Sequence, residues 1–328
     1  MTARFVLSLD TEIAWGTFYW EGFHYYRRHF DDYRALITRF ISLLERYEIS
    51  ATWAFVGHLF LHSCDGRHAD VLRPRYGWFG GEDWHKYDPG TNWRTDPWWY
   101  APDIVEAVVN MRTLQEIATH TFSHVVIGDP QCTPEIARSQ VEACIRVAEP
   151  TGRRIESLVF PRDSVGHLDV FADLGIRTYR GVEQAWYFRF GPRAGKILHL
   201  IDQALALPSP VYDIAGLELN HGLLNVPSSQ FLLAYDRYHG FVPTASRVAK
   251  VRRSIDRAVR GGAVFHLAFH PFHLGSSEQM FEVFERIFAH VARRRSEGSL
   301  AVATMGDIRR LYDATIRNRR SSNGEIAA

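Results

Sequence analysis

Short apolar runs alternate along the chain with segments whose apolar residues recur every three or four positions. The runs predict strands over 4–9, 50–56, 115–119, 155–160, 175–180, 211–219, 263–269 and 299–304. The helical period is plainest over 31–47, where Leu36, Ile37, Phe40, Ile41 and Leu44 share one face. Further helices are predicted after Thr133, a capping residue followed by Pro134 and closed by Pro150 and Gly152, and over 246–260 and 278–295. Strands that are apolar on both faces and separated by helices read as a parallel sheet covered by helices. Seven or eight such units over the whole chain predict a single-domain α/β fold, a distorted (β/α)7–8 barrel occupying 1–317.

Two segments break the alternation. Residues 62–102 form a long insertion that holds five of the nine tryptophans, Trp78, Trp84, Trp93, Trp98 and Trp99. Long loops in compact domains are often binding elements, so this one reads as a lid stacking on sugar rings. It reads equally as a mini-core of its own or as a subunit interface, which leaves homo-oligomerisation open. Residues 318–328 are small and polar and are expected to form a disordered tail.

Composition narrows the class. The chain has 328 residues, 46% hydrophobic and 23% charged, with net charge +1. No strong positive field is available for nucleic acid or an anionic membrane. Arg293–Arg295 and Arg317–Arg320 read as a solvated helix face and part of the tail. Three cysteines, Cys64, Cys132 and Cys144, without C-x-x-C spacing, suggest reduced thiols. The apolar run near the N-terminus is too short for a signal peptide or a membrane span, so a cytoplasmic protein is expected.

Three polar groups fall at the C-terminal ends of predicted strands, where parallel barrels carry their active sites. Asp10 and Glu12 follow the first strand, and a period of two turns them to one side. Alone, they read as a turn cap and a solvated acid. His120 and His124, in "HTFSH", stand four apart after the third strand and can grip one metal ion. His266 and His270, in "FHLAFHPFHL", share a strand face. The first suits a core histidine better than the second. Two histidines and a carboxylate leave a metal position open for water, with a carboxylate and a histidine to spare. That equipment suits hydrolysis of an amide or ester.

With these residues in place, the sequence resembles the polysaccharide deacetylase family, also known as the NodB-homology or carbohydrate esterase family 4 group. "SLDTE" (8–12), "EIATHTFSH" (116–124), "VFPRDS" (159–164) and "LAFHPFHL" (267–274) follow the order of the family's motifs. "DTEIAWG" is also similar to members associated with bacterial surface-sugar synthesis. The resemblance implies a NodB-like barrel and a zinc-dependent removal of N-acetyl groups from a sugar or saccharide precursor. It implies that Asp10 is the base, His120 and His124 are ligands, His270 is the acid, and Leu267 walls the acetyl methyl group. Where the family has a second aspartate this chain has Thr11, so Glu12, one residue on and with the right facing, is taken as the third ligand. The roles of Asp10 and Glu12 could be exchanged. Arg162 is expected to pair with Asp10, and Trp15, Trp84, Trp98 and Trp99 to contact the substrate. A small-molecule amidohydrolase of the allantoinase type and a sugar-binding barrel without chemistry are the alternatives.

Overall fold

The computed structural model describes residues 2–20 and 22–324. Its strands are β1 (Ala3–Thr11), β2 (Thr52–Phe55), β3 (Glu116–Thr119), β4 (Ser157–Val159), β5 (Thr178–Arg180), β6 (Leu219–Asn220), β7 (Leu223–Asn225), β8 (Gln230–Phe231), β9 (Val264–Phe269) and β10 (Leu300–Ala303). Its helices are α1 (Gly22–Tyr26), α2 (Tyr33–Arg46), α3 (Pro102–Val109), α4 (Pro134–Ala148), α5 (Leu168–Asp173), α6 (Gly191–Ala204), α7 (Thr244–Gly261), α8 (Gln279–Ser296) and α9 (Met305–Gly324).

The sheet runs β6-β7-β5-β4-β3-β2-β1-β9-β8, with β10 also paired to β1. All pairings are parallel except the β6–β7 hairpin. That hairpin turns through His221 and Gly222, both at positive φ, which a two-residue turn of this hand requires. The sheet curls on itself. The Val226 N–H donates to the Tyr179 carbonyl at 2.9 Å, and the Ser229 N–H to the His266 carbonyl at 2.8 Å. Residues 226–229 therefore bridge β5 and β9, and the barrel closes through irregular backbone rather than through a regular strand.

Strand parity explains the core and the site together. In β1, Phe5, Leu7 and Leu9 point outward into the large core beneath the helices. Val6 points inward, where it packs with Ala54, Ala118, Val159, Leu224 and Val264, and Met305 and Ile308 of α9 join them. Continuing inward by twos reaches Ser8, then Asp10, then Glu12. The apolar plug at one end and the acids at the other are thus one face of the same strand.

The barrel expectation is met, and the predicted helices over 31–47, 246–260 and 278–295 form within a few residues of their expected ends. The Thr133 hydroxyl caps α4 by accepting from the Ile136 N–H. The expected strand over 211–219 is replaced by a single bridge from Tyr212 to Val264, a 3-10 turn and the two residues of β6. The tail expectation also needs correction. α9 runs on to Gly324, and only 325–328 of that segment lie outside the described residues. A helix already nucleated against the barrel extends at one hydrogen bond per residue fixed, which polar residues tolerate. Among the described residues no helix is long and apolar enough to cross a membrane, and the three cysteines are free.

Candidate active site

Glu12 leaves the end of β1 with its carboxylate buried at 4% exposure. Its Oε2 lies 3.0 Å from His120 Nε2 and 2.9 Å from His124 Nε2. Gly16, in the turn that follows, stands directly beneath it. A Cβ there would lie 2.0 Å from Glu12 Oε1, so only glycine leaves the carboxylate its place. The loop after β3 brings the histidines round by placing Thr121 and His124 at positive φ. Ile13, Arg162 and Asp163 are also at positive φ. For such side chains these conformations cost about 1–3 kcal/mol each and persist where surrounding contacts over-determine them. Here they mark the ends of β1, β3 and β4.

His120 is fixed through both ring nitrogens. Its Nδ1–H donates to the Val159 carbonyl at 2.8 Å. Nε2 faces a carboxylate oxygen, so either a second proton, making the ring cationic, or a metal ion stands between the two atoms. His124 Nδ1 is buried without a hydrogen-bond partner, and its Nε2 faces the same oxygen. Glu12, His120 and His124 can therefore share one metal ion, each offering one ligand atom. Burial pushes the Glu12 carboxyl up, but the charges of His270 and His124 and the bonds from both motif histidines hold it well below the usual carboxylate range.

Asp10 lies beside this group with a different partner from the one expected. Arg180, the last residue of β5, grips its carboxylate with two arms: Nη1 donates to Oδ1, and Nη2 to Oδ2 at 2.7 Å. The guanidinium also reaches Ser8 Oγ at 3.2 Å and Asp163 Oδ1 at 3.3 Å. Ser8 Oγ in turn donates to His266 Nε2 at 2.9 Å, while His266 Nδ1 faces the carbonyls of Val226 and Pro227 at 3.2 Å. His266 is thus a satisfied core histidine, pushed down to about 3 by burial and by Arg180. Burial raises the Asp10 carboxyl, and the charge and bonds of Arg180 more than offset this and hold it below its ordinary value.

His270 Nε2 completes the floor, 3.7 Å from Asp10 Oδ2 and 3.5 Å from Glu12 Oε1. Burial lowers it, opposed by the two acids. These groups open into a cavity of about 640 Å3 walled by Tyr19, Trp20, Tyr26, Trp78, Phe231 and Phe272.

The structure brings Asp10, Glu12, His120, His124 and His270 together. It does not bring in the rest of the expected site. Arg162 is exposed and makes no bond to Asp10. Its guanidinium lies over Trp78 at 5.4 Å and Tyr19 at 5.9 Å, on the cavity wall. Leu267 has odd parity in β9, opposite to His266 and His270, and is buried in the outer core. Trp15 and Trp84 are fully buried, their indole N–H groups bonded to the carbonyls of Trp99 and Ser123. Trp99 is buried as well, and Trp98 packs on Phe30. None of these five lines the cavity. The insertion therefore packs its buried aromatics into the outer core, Trp99 on Trp15 and Trp84 on Phe18, and sends Trp78 to the wall. Arg180 was missed, although a charged residue ending an apolar strand was the available signal.

No protein-family model matches the chain, and none of the curated proteins does. Solved structures do. A protein assigned as a polysaccharide deacetylase from Mycobacterium smegmatis superposes with a TM-score of 0.62 at 13% identity, over 96% of this chain and 91% of that one. The 4-alpha-glucanotransferase of Thermococcus litoralis superposes at 0.51 and 13% identity, over 94% of this chain but 40% of that one. At these identities the likeness is one of fold.

Proposed function

We propose that this chain is a metal-dependent hydrolase that removes an N-acetyl group from a sugar or saccharide precursor. The observation that carries the reading is the pairing, at one cavity floor, of a Glu12–His120–His124 donor set with an Arg180-clamped Asp10 and a free-edged His270. A divalent ion of the zinc type held by Glu12, His120 and His124 would polarise the amide carbonyl and acidify a water towards neutral pKa. Asp10 Oδ2 takes the proton of the attacking water, its carboxylate kept ionised and fixed in direction by Arg180. His270 Nε2, 3.7 Å away, relays that proton to the nitrogen of the leaving amine as the C–N bond breaks. Acetate and a free amino sugar result. The aromatic walls suit the apolar faces of sugar rings, and the cavity lies within the roughly 300–1,000 Å3 typical of small-molecule sites.

Acetate release from a panel of N-acetylated mono- and oligosaccharides, free and nucleotide-linked, tests the reading. Release that disappears with a chelator and returns with zinc or cobalt supports it. No release from any member, by protein shown to hold metal at Glu12, would remove the deacetylase assignment.

A further inference from the structure

A second donor cluster lies against Trp15, whose ring packs on His58 at 4.7 Å between centroids. His58, Cys64, His68 and Asp88 each offer one ligand atom, and the four atoms lie within 4.8 Å of one another. His58 sits in the turn after β2, whereas the other three belong to the aromatic insertion. His58 Nε2 is 3.0 Å and His68 Nε2 2.7 Å from the same oxygen, Asp88 Oδ2. Cys64 Sγ is 3.5 Å from His58 Nε2 and 3.4 Å from Asp88 Oδ1. Four ligands around tetrahedral zinc, at bond lengths of about 2.0–2.3 Å, stand roughly 3.3–3.8 Å from one another. The cluster is already contracted to near that size.

Proton bookkeeping points the same way. His58 Nδ1 faces the Trp99 carbonyl at 3.0 Å, so it carries a hydrogen, and Nε2 faces a carboxylate oxygen across which a second proton or a metal ion is shared. The side chains of His58 and Asp88 are both 0% exposed, so water cannot mediate. Protons on both histidines would join His58 and His68 to Asp88 but leave Cys64 outside the pairing, whereas one divalent ion engages all four donors. With a thiolate and a carboxylate it also gives a neutral site, as burial demands. The Nδ1–H to carbonyl bond is the outer contact that commonly fixes a ligating histidine.

The backbone is shaped to the same end. The Gly66 N–H donates to Cys64 Sγ at 3.4 Å, and the Gly90 N–H to Asp88 Oδ1 at 3.0 Å, each two residues beyond its ligand. Both glycines have positive φ and abut each other. A Cβ on Gly66 would lie 3.3 Å from Gly90 Cα, and one on Gly90 3.2 Å from the Asp65 backbone. The Tyr100 hydroxyl lies 3.1 Å from Sγ and closes the remaining side.

We infer that His58, Cys64, His68 and Asp88 form a closed structural zinc site that pins the aromatic insertion to the barrel rim. All four positions are taken by protein, so the site holds the loop and leaves no place for substrate. Three of its ligands flank the stretch that carries Trp78, which ties the cavity wall to the end of β2.

The test uses the full chain, without a histidine tag, carrying His120→Ala and His124→Ala so that the cavity site is removed. This variant should retain about one zinc per chain after dialysis. Exchanged for cobalt(II), it should show near-ultraviolet thiolate-to-cobalt absorption, which no ligand at Glu12 could produce. Adding Cys64→Ser should abolish the band, and Asp88→Asn should weaken retention should the serine variant fail to fold. A folded His120→Ala/His124→Ala protein that takes up neither zinc nor cobalt, and whose Cys64 reacts freely with a thiol reagent, would overturn the inference. Metal at the cavity floor is read separately, by the difference between wild type and this variant.

Discussion

Replacing Arg180 by methionine should destabilise the protein far more than any change at Arg162. Both Arg180 and Asp10 side chains are nearly inaccessible, at 1% and 4% exposure. Methionine fills most of the guanidinium's space but leaves the Asp10 carboxylate buried beside the Glu12 carboxylate with no cation bonded to it. Breaking one side of a buried ion pair costs about 3–5 kcal/mol. The loss of the bonds to Ser8 and Asp163 is contained in that figure. Asp10→Asn in the same chain removes the orphaned charge, so the double variant should recover about 2–3 kcal/mol of the loss. Arg162→Ala removes only exposed cation–π contacts with Trp78 and Tyr19 and should cost under about 1 kcal/mol. Urea denaturation of the four proteins of the cycle, with Arg162→Ala beside them, measures each quantity. Additivity of Arg180→Met and Asp10→Asn within about 0.5 kcal/mol would refute the buried clamp. So would a cost at Arg162 equal to that at Arg180.

Other outcomes follow from the same geometry. Gly16→Ala should fold normally yet lower metal affinity at Glu12 by about 10–100-fold, because the new Cβ occupies the carboxylate's place; calorimetric zinc titration would show unchanged affinity if this is wrong. Glu12→Gln should lose metal at the cavity floor, whereas Asp10→Asn should keep it and lose turnover; the reverse pattern in metal analysis would exchange the two roles. Glu183 is pushed by burial from an ordinary 4.5 up to about 7, with Tyr187 and the Phe231 N–H as partners. The unfolded chain gives up this proton first, so folding is penalised increasingly as pH rises from about 4.5 to 7, by at most about 3 kcal/mol above that. Glu183→Gln, an isostere of the neutral acid, should raise the denaturation midpoint at pH 8.5 and leave it nearly unchanged at pH 4.5; equal effects at both would contradict the shift.

The amino-acid pattern carried the barrel because its long strands are apolar on both faces, a signal no amphipathic helix imitates. β7 and β8 escaped because strands of two or three residues have no period to detect, and the backbone between them closes the barrel irregularly. Asp10, Glu12, His120, His124 and His270 were legible because strand parity and i, i+4 spacing are local rules. Arg180 was not, since its tie to Asp10 spans 170 residues and follows from β5 facing β1 across the barrel interior. Arg162 was the nearer candidate in sequence, but consecutive positive φ at Arg162 and Asp163 turns its side chain out to the cavity wall. Leu267 was recoverable, because the parity that pairs His266 with His270 puts it on the other face. The tryptophans of the insertion illustrate the usual ambiguity of aromatic-rich loops. Trp84 and Trp99 are buried, the Trp84 N–H on the Ser123 carbonyl, while Trp78 reaches the cavity wall, and composition alone does not distinguish a packed indole from a sugar platform.

The proposed chemistry stands on Glu12, His120 and His124 holding one metal ion beside the Asp10–Arg180 pair. Anomalous diffraction at the zinc edge from a zinc-soaked crystal tests it most directly, because it locates each ion rather than counting them. A peak is expected about 2.0–2.2 Å from Glu12 Oε2, His120 Nε2 and His124 Nε2. A crystal with zinc elsewhere and no peak among these three atoms would contradict it.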